Sequence, residues 1–456
     1  MRRSLGPLVA AVALVCTSCL GGGQSERVVL VDYSHDEFAS IMVGYFPGEI
    51  TIAQGDTVVF RQTWTGEPHT VTGGTLVNKM MAKGKPWIQF FDAFEHLLVQ
   101  GALPDPENPK GSVADLFEAL AEVKDAEVRN QLIDAYDTLR EQGVPLPDRK
   151  KPGKATFESL VQTVDEESNK FFESSGVTMA WSDDDNVTQN GGQPCFLDKG
   201  QPPKDQDKAC KQAQQRQPAF NGKASYYNSG IIPYEGPQGN TFRVPFTPDI
   251  EPGSYFFFCA VHGPGQSTEV KVVPKGADIP DQASVSKKAR EEIAEFAEPE
   301  AETFRDAQDG KVSLDGKTLK APFAGLQAPV FGAINEFIPR TIRTRVGRQV
   351  TWTMMGWPHS VSFNVPKYFP IIQFARSGKV SLNPALDKPA GGSPKPGDLE
   401  PGAHIDGGTF DGKGFFSSGL LASDTYVRYS LRFSKPGRYK YACLLHPAMV
   451  GTVVVS

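Results

Sequence analysis

Cys443, His446 and Met449 stand at three-residue intervals near the end of the chain, and His359 lies far upstream of them. A thiolate, two imidazoles and a thioether make a soft donor set suited to copper that cycles between Cu(I) and Cu(II). With the imidazoles and thiolate in a trigonal plane and a long axial methionine, both oxidation states are served, so electron transfer needs little rearrangement. Zinc competes for cysteine and histidine, but zinc sites rarely recruit methionine, and a closed structural zinc site needs more Cys and His ligands than these. A Cys-x-x-His pair alone would be weak, because a lone buried cysteine usually packs and a lone histidine usually lies at the surface or in a hydrogen bond. An earlier part of the chain holds a second, partial set: His69, Cys259 and His262. There the position matching Met449 is Gly265, and Gln266 follows one residue out of register. His35, His96 and His404 have no counterpart between the two sets and read as solvated or structural.

The elements that must position these groups are repeated. Phe46-Pro47-x-x-Ile50-x-Ile52-x-x-Gly55-x-x-Val58-x-Phe60 is matched, at identical spacing, by Ile338-Pro339-x-x-Ile342-x-Thr344-x-x-Gly347-x-x-Val350-x-Trp352. Alternation on each side of the glycine predicts two short strands with one buried face, joined by a turn at Gly55 or Gly347. Pro68-His69-Thr70-Val71 matches Pro358-His359-Ser360-Val361, and Asn228-Ser229-Gly230-Ile231-Ile232 matches Ser417-Ser418-Gly419-Leu420-Leu421. Pro252-Gly253 through Cys259 and His262 matches Pro436-Gly437 through Cys443 and His446, and each copy then runs into a β-rich strand, 269–273 or 452–456. Collinear repetition over so many positions predicts a duplicated β-sandwich domain.

With these motifs on the page, the chain resembles the cupredoxins, the plastocyanin, pseudoazurin and amicyanin group. The short Cys443-x-x-His446-x-x-Met449 loop, Tyr441-Ala442-Cys443 before it, and the Phe/Ile-Pro and Gly positions of the early strands carry the likeness. It covers both β-domains and neither large insertion. It implies a mainly β fold of two Greek-key sandwiches, one-electron transfer, and copper held by His359, Cys443, His446 and Met449. In the first domain His69, Cys259 and His262 would hold copper. Some members of the family use an axial glutamine, so three cases stay open there: a three-ligand site, a site completed by Gln266, or a degenerate site.

Each copy carries an insertion between its first histidine and its late strands. The first, about 75–224, is expected to be mostly helical: Trp87, Phe90, Phe91, Phe94, Leu97 and Leu98 recur at helical spacing. Ser112-x-x-Asp115 predicts a capped helix over Leu116, Leu120 and Val123, with further helices at about 126–142 and 157–172. The aromatic stripe reads as packing, not as a cofactor pocket. The second insertion, 368–414, is shorter and rich in Gly and Pro, and Ile88-Gln89-Phe90 and Ile372-Gln373-Phe374 suggest that the two insertions start alike. The resulting division is a signal at 1–18, a tether at 19–26, a first domain at 27–274, a linker at 275–328 with one helix at 284–297, and a second domain at 329–456.

The chain of 456 residues is too long for one compact core, and 45 glycines and 36 prolines favour a turn-rich β protein. A net charge of −6 with no basic patch argues against nucleic acid. Arg2 and Arg3 followed by an apolar stretch at 5–15, too short to span a bilayer, predict export to the periplasm or cell surface. Cys16-Thr17-Ser18-Cys19 and the glycines after it resemble a bacterial lipoprotein processing site, with Cys19 the expected lipid attachment and membrane anchor; ordinary cleavage to a soluble product is the alternative. In an oxidising compartment Cys195 and Cys210, flanking a short polar loop, are expected to form a disulfide, leaving Cys259 and Cys443 alone in their halves.

The leading expectation is an exported electron carrier, not an enzyme, with one or two type 1 coppers and redox-protein partners. A copper oxidase or two-domain copper nitrite reductase would need His-x-His pairs and a histidine beside the blue-copper cysteine. Phe258 and Ala442 stand beside the cysteines, and no His-x-His occurs among the seven histidines. Copper sequestration or delivery, and docking to a partner through the helical insertion, are the other readings.

Overall fold

The computed structural model describes residues 25–63, 65–99, 111–177, 192, 194–198, 217–232, 239–314, 317–328, 332–356, 358–366, 372–374, 380–383, 386, 388–391, 399–400, 402–422 and 426–456. The export segment, Cys19 and Cys210 lie outside the described residues. Cys195 is disulfide-bonded, whereas Cys259 and Cys443 are free and buried.

The strands of the first half are β1 (Glu26–Tyr33), β2 (Ser40–Phe46), β3 (Glu49–Ala53), β4 (Thr57–Gln62), β5 (Thr72–Gly73), β6 (Pro194–Leu197), β7 (Tyr226–Ser229), β8 (Thr241–Pro245), β9 (Gly253–Cys259) and β10 (Gly263–Val273). The second half has the small hairpin β11 (Ser313–Leu314) and β12 (Lys317–Thr318), then β13 (Phe323–Gln327), β14 (Gly332–Ile338), β15 (Thr341–Thr344), β16 (Gln349–Met355), β17 (Ser362–Phe363), β18 (Ile372–Phe374) and β19 (Val380–Leu382). It closes with β20 (His404–Phe410), β21 (Phe416–Ser417), β22 (Tyr426–Phe433), β23 (Gly437–Ala442) and β24 (Val450–Val455). The helices are α1 (Thr75–Val99), α2 (Val113–Ala121), α3 (Ala126–Glu141), α4 (Phe157–Ser174) and α5 (Gln282–Gln308).

Each half is a sandwich. In the first, β1, β2, β4 and β8 face β3, β10, β9, β5, β7 and β6. Val29, Val58, Phe60 and Phe242 from one sheet meet Ile50, Phe257, Val270 and Val272 from the other. The alternation along β8 and β10 puts every second side chain inside, as a two-residue period requires. In the second half, β13, β14, β16, β22 and β20 face β15, β24, β23, β17 and β21. Its core centres on Phe337, Trp352, Tyr429, Phe363, Tyr441 and Val453, and the Trp352 indole donates to the Tyr441 hydroxyl at 3.2 Å. Burying each side chain of this size stabilises the fold by about 1.5–3 kcal/mol.

The glycine turns join two short strands, as expected, and the strands they join lie in different sheets. Gly55 (φ 90°) and Gly347 (φ 73°) carry the chain from one sheet to the other: β3 pairs with β10, while β4 pairs with β1 and β8. The early strands are therefore the corners that close each sandwich.

The two sandwiches share a sheet. β14 pairs antiparallel with β2 through Gly332↔Met42, Ala333↔Ile41 and Ile334↔Ser40. In the repeat, Phe46 corresponds to Ile338, so Ile41 and Ala333 are equivalent positions facing each other across an approximate two-fold. A Cβ on Gly332 would fall 2.3 Å from the Ile41 carbonyl oxygen, so only glycine lets the strands pair here. Both β2 and β14 are buried along their length, because one face lines a core and the other lies in the junction.

The segment 275–328 is more than a linker. Helix α5, capped by Asp281, runs well beyond the expected 284–297 and lies across the joined sheet. Ala289 and Ile293 pack on Met42 and Phe46, and Ala307 packs with Phe38, Phe323, Leu326 and Ile334. Strand β13 pairs with β14 as β1 pairs with β2, so the second sandwich starts before 329. Phe323–Gln327 is too short and too Gly-broken to show strand alternation in the sequence.

The helices of the first insertion form where expected. Ser112 and Asp115 make the capping box of α2, and Trp87, Phe90, Leu97, Leu116, Tyr136 and Phe157 form a separate core. Pro194–Leu197 adds a strand beside β7, so the insertion also widens the sheet. The two insertions do not start alike. Ile88–Phe90 belong to α1, whereas Ile372–Phe374 pair with Val380–Leu382 as a hairpin. A long periodic run sustains a helix, and a three-residue match between Pro-rich flanks does not.

Candidate metal centres

Each cluster is assembled at one end of its sandwich. Cys259 ends β9, and Cys443 follows β23 directly. His69 and His359 sit in short backbone bridges to Ile232 and Leu421, which fix their Cα positions against the second sheet. His262 and His446 lie on the loops after the cysteines.

In the first half the Nδ1 atoms of His69 and His262 are 3.2 Å apart, and Cys259 Sγ is 3.8 and 3.5 Å from them. In the second half His359 and His446 present Nδ1 atoms 3.1 Å apart, with Cys443 Sγ 3.5 Å from His446 Nδ1. Within each trio the ligand atoms lie within 4.8 Å of one another. The second trio is wholly buried, while His262 leaves the first partly open.

The same support surrounds both thiols. The Thr70 amide donates to Cys259 Sγ at 3.3 Å, and the Ser360 amide donates to Cys443 Sγ at 3.4 Å. The Thr70 hydroxyl accepts from the Ala260 amide at 2.8 Å, and the Ser360 hydroxyl accepts from the Leu444 amide at 2.9 Å. One hydroxyl residue beside each upstream histidine thus ties the histidine segment to the cysteine loop. Burial pushes both thiols up in pKa, but the charge and hydrogen bonds of the adjacent imidazoles outweigh it and hold them well below the ordinary thiol range. That is the ionisation a metal thiolate needs.

Gln266 stands where Met449 stands. Ala442 pairs with Val450 as Phe258 pairs with Ser267, which makes Gln266, not Gly265, the structural counterpart of Met449. The loop after Cys259 holds one more residue, and this accounts for the slip in register. Gln266 is fully buried, its Oε1 lies 3.0 Å from His69 Nδ1, and its amide donates to the Gly44 carbonyl at 3.3 Å. Met449 is fully buried in the same core cluster as Cys443.

Two carboxylates back the imidazoles, and neither stood out in the sequence. Asp32 Oδ2 is 3.1 Å from His69 Nε2 and is also held by the Thr65 hydroxyl. Burial raises the Asp32 carboxyl to about 6, against the lowering influence of His69. Glu67 Oε1 is 3.1 Å from His446 Nε2, across the boundary between the halves. Burial pushes Glu67 up, yet the hydrogen bond and charge of His446 bring it below the usual carboxylate range. Burial lowers His359, whose Nε2 has no hydrogen-bond partner among the described residues. His35 stacks on Phe38 at 4.1 Å and His404 Nε2 is 3.0 Å from the Ser430 hydroxyl, so neither joins a cluster; the His96 side chain lies outside the described residues.

No family model and no curated protein matches the chain. Among solved structures, a reduced amicyanin variant is 20% identical and covers 32% of this chain and 86% of its own, with a TM-score of 0.17. A purple cupredoxin from Nitrosopumilus maritimus is 25% identical and covers 27% of this chain and 83% of its own, with a TM-score of 0.15. The sandwiches and donor groups described above stand on this chain's own geometry.

Proposed function

We propose that the chain is an exported type 1 copper protein of one-electron transfer, with a copper centre in each half and a redox protein as its partner. The observation that carries this is the duplicated His–Cys–His trio, with Nδ1 atoms 3.1–3.2 Å apart and Sγ 3.5 Å from the loop histidine. Donor atoms this close converge on one point, as a single metal ion requires. Bound copper supplies the Cu(II)/Cu(I) couple.

The chain's own residues do the rest. His359, Cys443 and His446 would supply the strong donors of the second centre, with Met449 as the weak thioether. His69, Cys259 and His262 would supply those of the first, with Gln266 as a harder oxygen donor beside them. The amides of Thr70 and Ser360 donate to the sulfurs, which disperses thiolate charge and favours the reduced state. The cysteines at their strand ends and the upstream histidines in their backbone bridges are held at the sheet edges, which limits rearrangement between oxidation states. Methionine at one axial position favours copper over zinc. Attachment through Cys19 would hold the molecule at a membrane surface. Metal analysis with a visible spectrum of the copper-loaded protein tests the proposal: intense thiolate-to-Cu(II) absorption supports it, and uptake of zinc alone contradicts it.

A further inference from the structure

Glu67 belongs to the first sandwich, but its carboxylate is spent on the second. Its side chain is buried with that of His446, at 9% and 1% exposure. The approach is built into the backbone. Gly66 adopts φ 116°, and a Cβ there would lie 2.4 Å from the Leu445 carbonyl oxygen and 3.0 Å from His446 Cα. The buried Gln62 side chain donates to the Glu67 carbonyl at 2.7 Å, which fixes the residue just before Pro68 and His69.

We infer that Glu67 is the positioning residue of the second metal centre, so that this centre is complete only when the first sandwich is docked against it. With Nδ1 given to a metal, His446 carries its proton on Nε2 and donates it to Glu67 Oε1. That bond selects the tautomer, fixes the ring plane and raises the basicity of the ligating nitrogen. Glu67 lies two residues before His69 in the chain and 3.1 Å from His446 Nε2 in space. One carboxylate therefore stands between the two trios, and a short covalent path, Glu67-Pro68-His69, joins it to the first. His262 is left as the partly open edge of the pair, while His446 is closed off by the chain itself.

This rests on the proposed copper function, and the test separates the two. In the full chain carrying Cys259→Ser, only the second centre reports. Glu67→Ala should weaken copper binding there by about 10–100-fold. Glu67→Gln keeps an acceptor for Nε2–H and should recover most of that affinity. Both variants remove a negative charge beside the imidazole and should raise the reduction potential, a shift that a merely structural role would not produce. Unchanged affinity and potential in both variants would overturn the inference. If the Cys259→Ser parent takes up no copper at the second centre, it is the copper function that fails. Amide hydrogen exchange on metal-free wild type and Glu67→Ala then decides: faster exchange across 444–449 but not 260–266 upholds the role of Glu67, and equal exchange overturns it.

Discussion

Asp32 and Gly325 occupy the same place in the two sandwiches and face the equivalent upstream histidines, His69 and His359, in opposite ways. Each sits at the irregularity of the first strand of its half, at φ 68° and 80°. Asp32 gives His69 Nε2 a carboxylate at 3.1 Å. At Gly325 a Cβ would fall 1.8 Å from His359 Nε2, so that imidazole packs against bare backbone. The two trios thus differ in how their upstream histidine is held, as well as in the residue, Gln266 or Met449, that ends the loop after the cysteine.

Gly325→Ala should abolish the second centre and spare the first. Alanine would need a left-handed conformation, costing about 1–2 kcal/mol, and its methyl carbon would stand where the His359 ring stands. Copper analysis should fall by about one ion per chain. Asp32→Asn tolerates the backbone and still offers an acceptor to His69, so the first centre should persist with a raised potential. Full copper retention in Gly325→Ala would contradict the packing described.

The axial positions give a second expectation. Oxygen is a harder donor than a thioether and favours Cu(II), so the centre containing Gln266 should have the lower potential. Redox titrations of Cys443→Ser and Cys259→Ser, each retaining one centre, measure the two values. Gln266→Met should raise the first towards the second, and Met449→Gln should lower the second towards the first. Equal potentials in the single-site proteins, or no response to Gln266→Met, would show that Gln266 is not an axial ligand.

Glu300 should make stability depend on pH. It lies fully buried on α5, beside the junction at Gly332, and burial raises its carboxyl from 4.5 to about 8, with smaller effects from Ser40 and Asp32. The folded chain then keeps a proton that the unfolded chain releases. Stability from this group is full below pH about 4.5, declines as pH rises, and levels off above about 8, at no more than about 1.4 kcal/mol per pH unit. Denaturation of wild type and Glu300→Gln at pH 5 and pH 8 should show a steeper decline in wild type than in the variant. Parallel profiles would mean that Glu300 is ionised in the fold.

The donor groups were legible because cysteine, histidine and methionine at fixed spacing recur in a repeated frame, and the frame itself showed in alternating strands. Asp32 and Glu67 were not legible, since each meets its histidine across strands or across halves, at no characteristic spacing. Thr70 and Ser360 were visible as repeated residues, but their bonds to Ala260 and Leu444 exist only once the sheets close. Gln266 was placed one position off because a single extra residue is absorbed in a loop, which spacing alone cannot detect. The helix at 284–297 was legible inside the linker, but its reach to Gln308 and its packing on the joined sheet were not, because its apolar residues are sparse and serve a junction between domains.

Copper stoichiometry with visible spectra, taken on wild type, Cys259→Ser and Cys443→Ser after copper loading, tests the central claim most directly. The expected result is two coppers per wild-type chain, each with thiolate-to-Cu(II) absorption, and one copper with a distinct spectrum in each variant. Zinc alone, no copper, or a stoichiometry and spectrum unchanged by either substitution would contradict it.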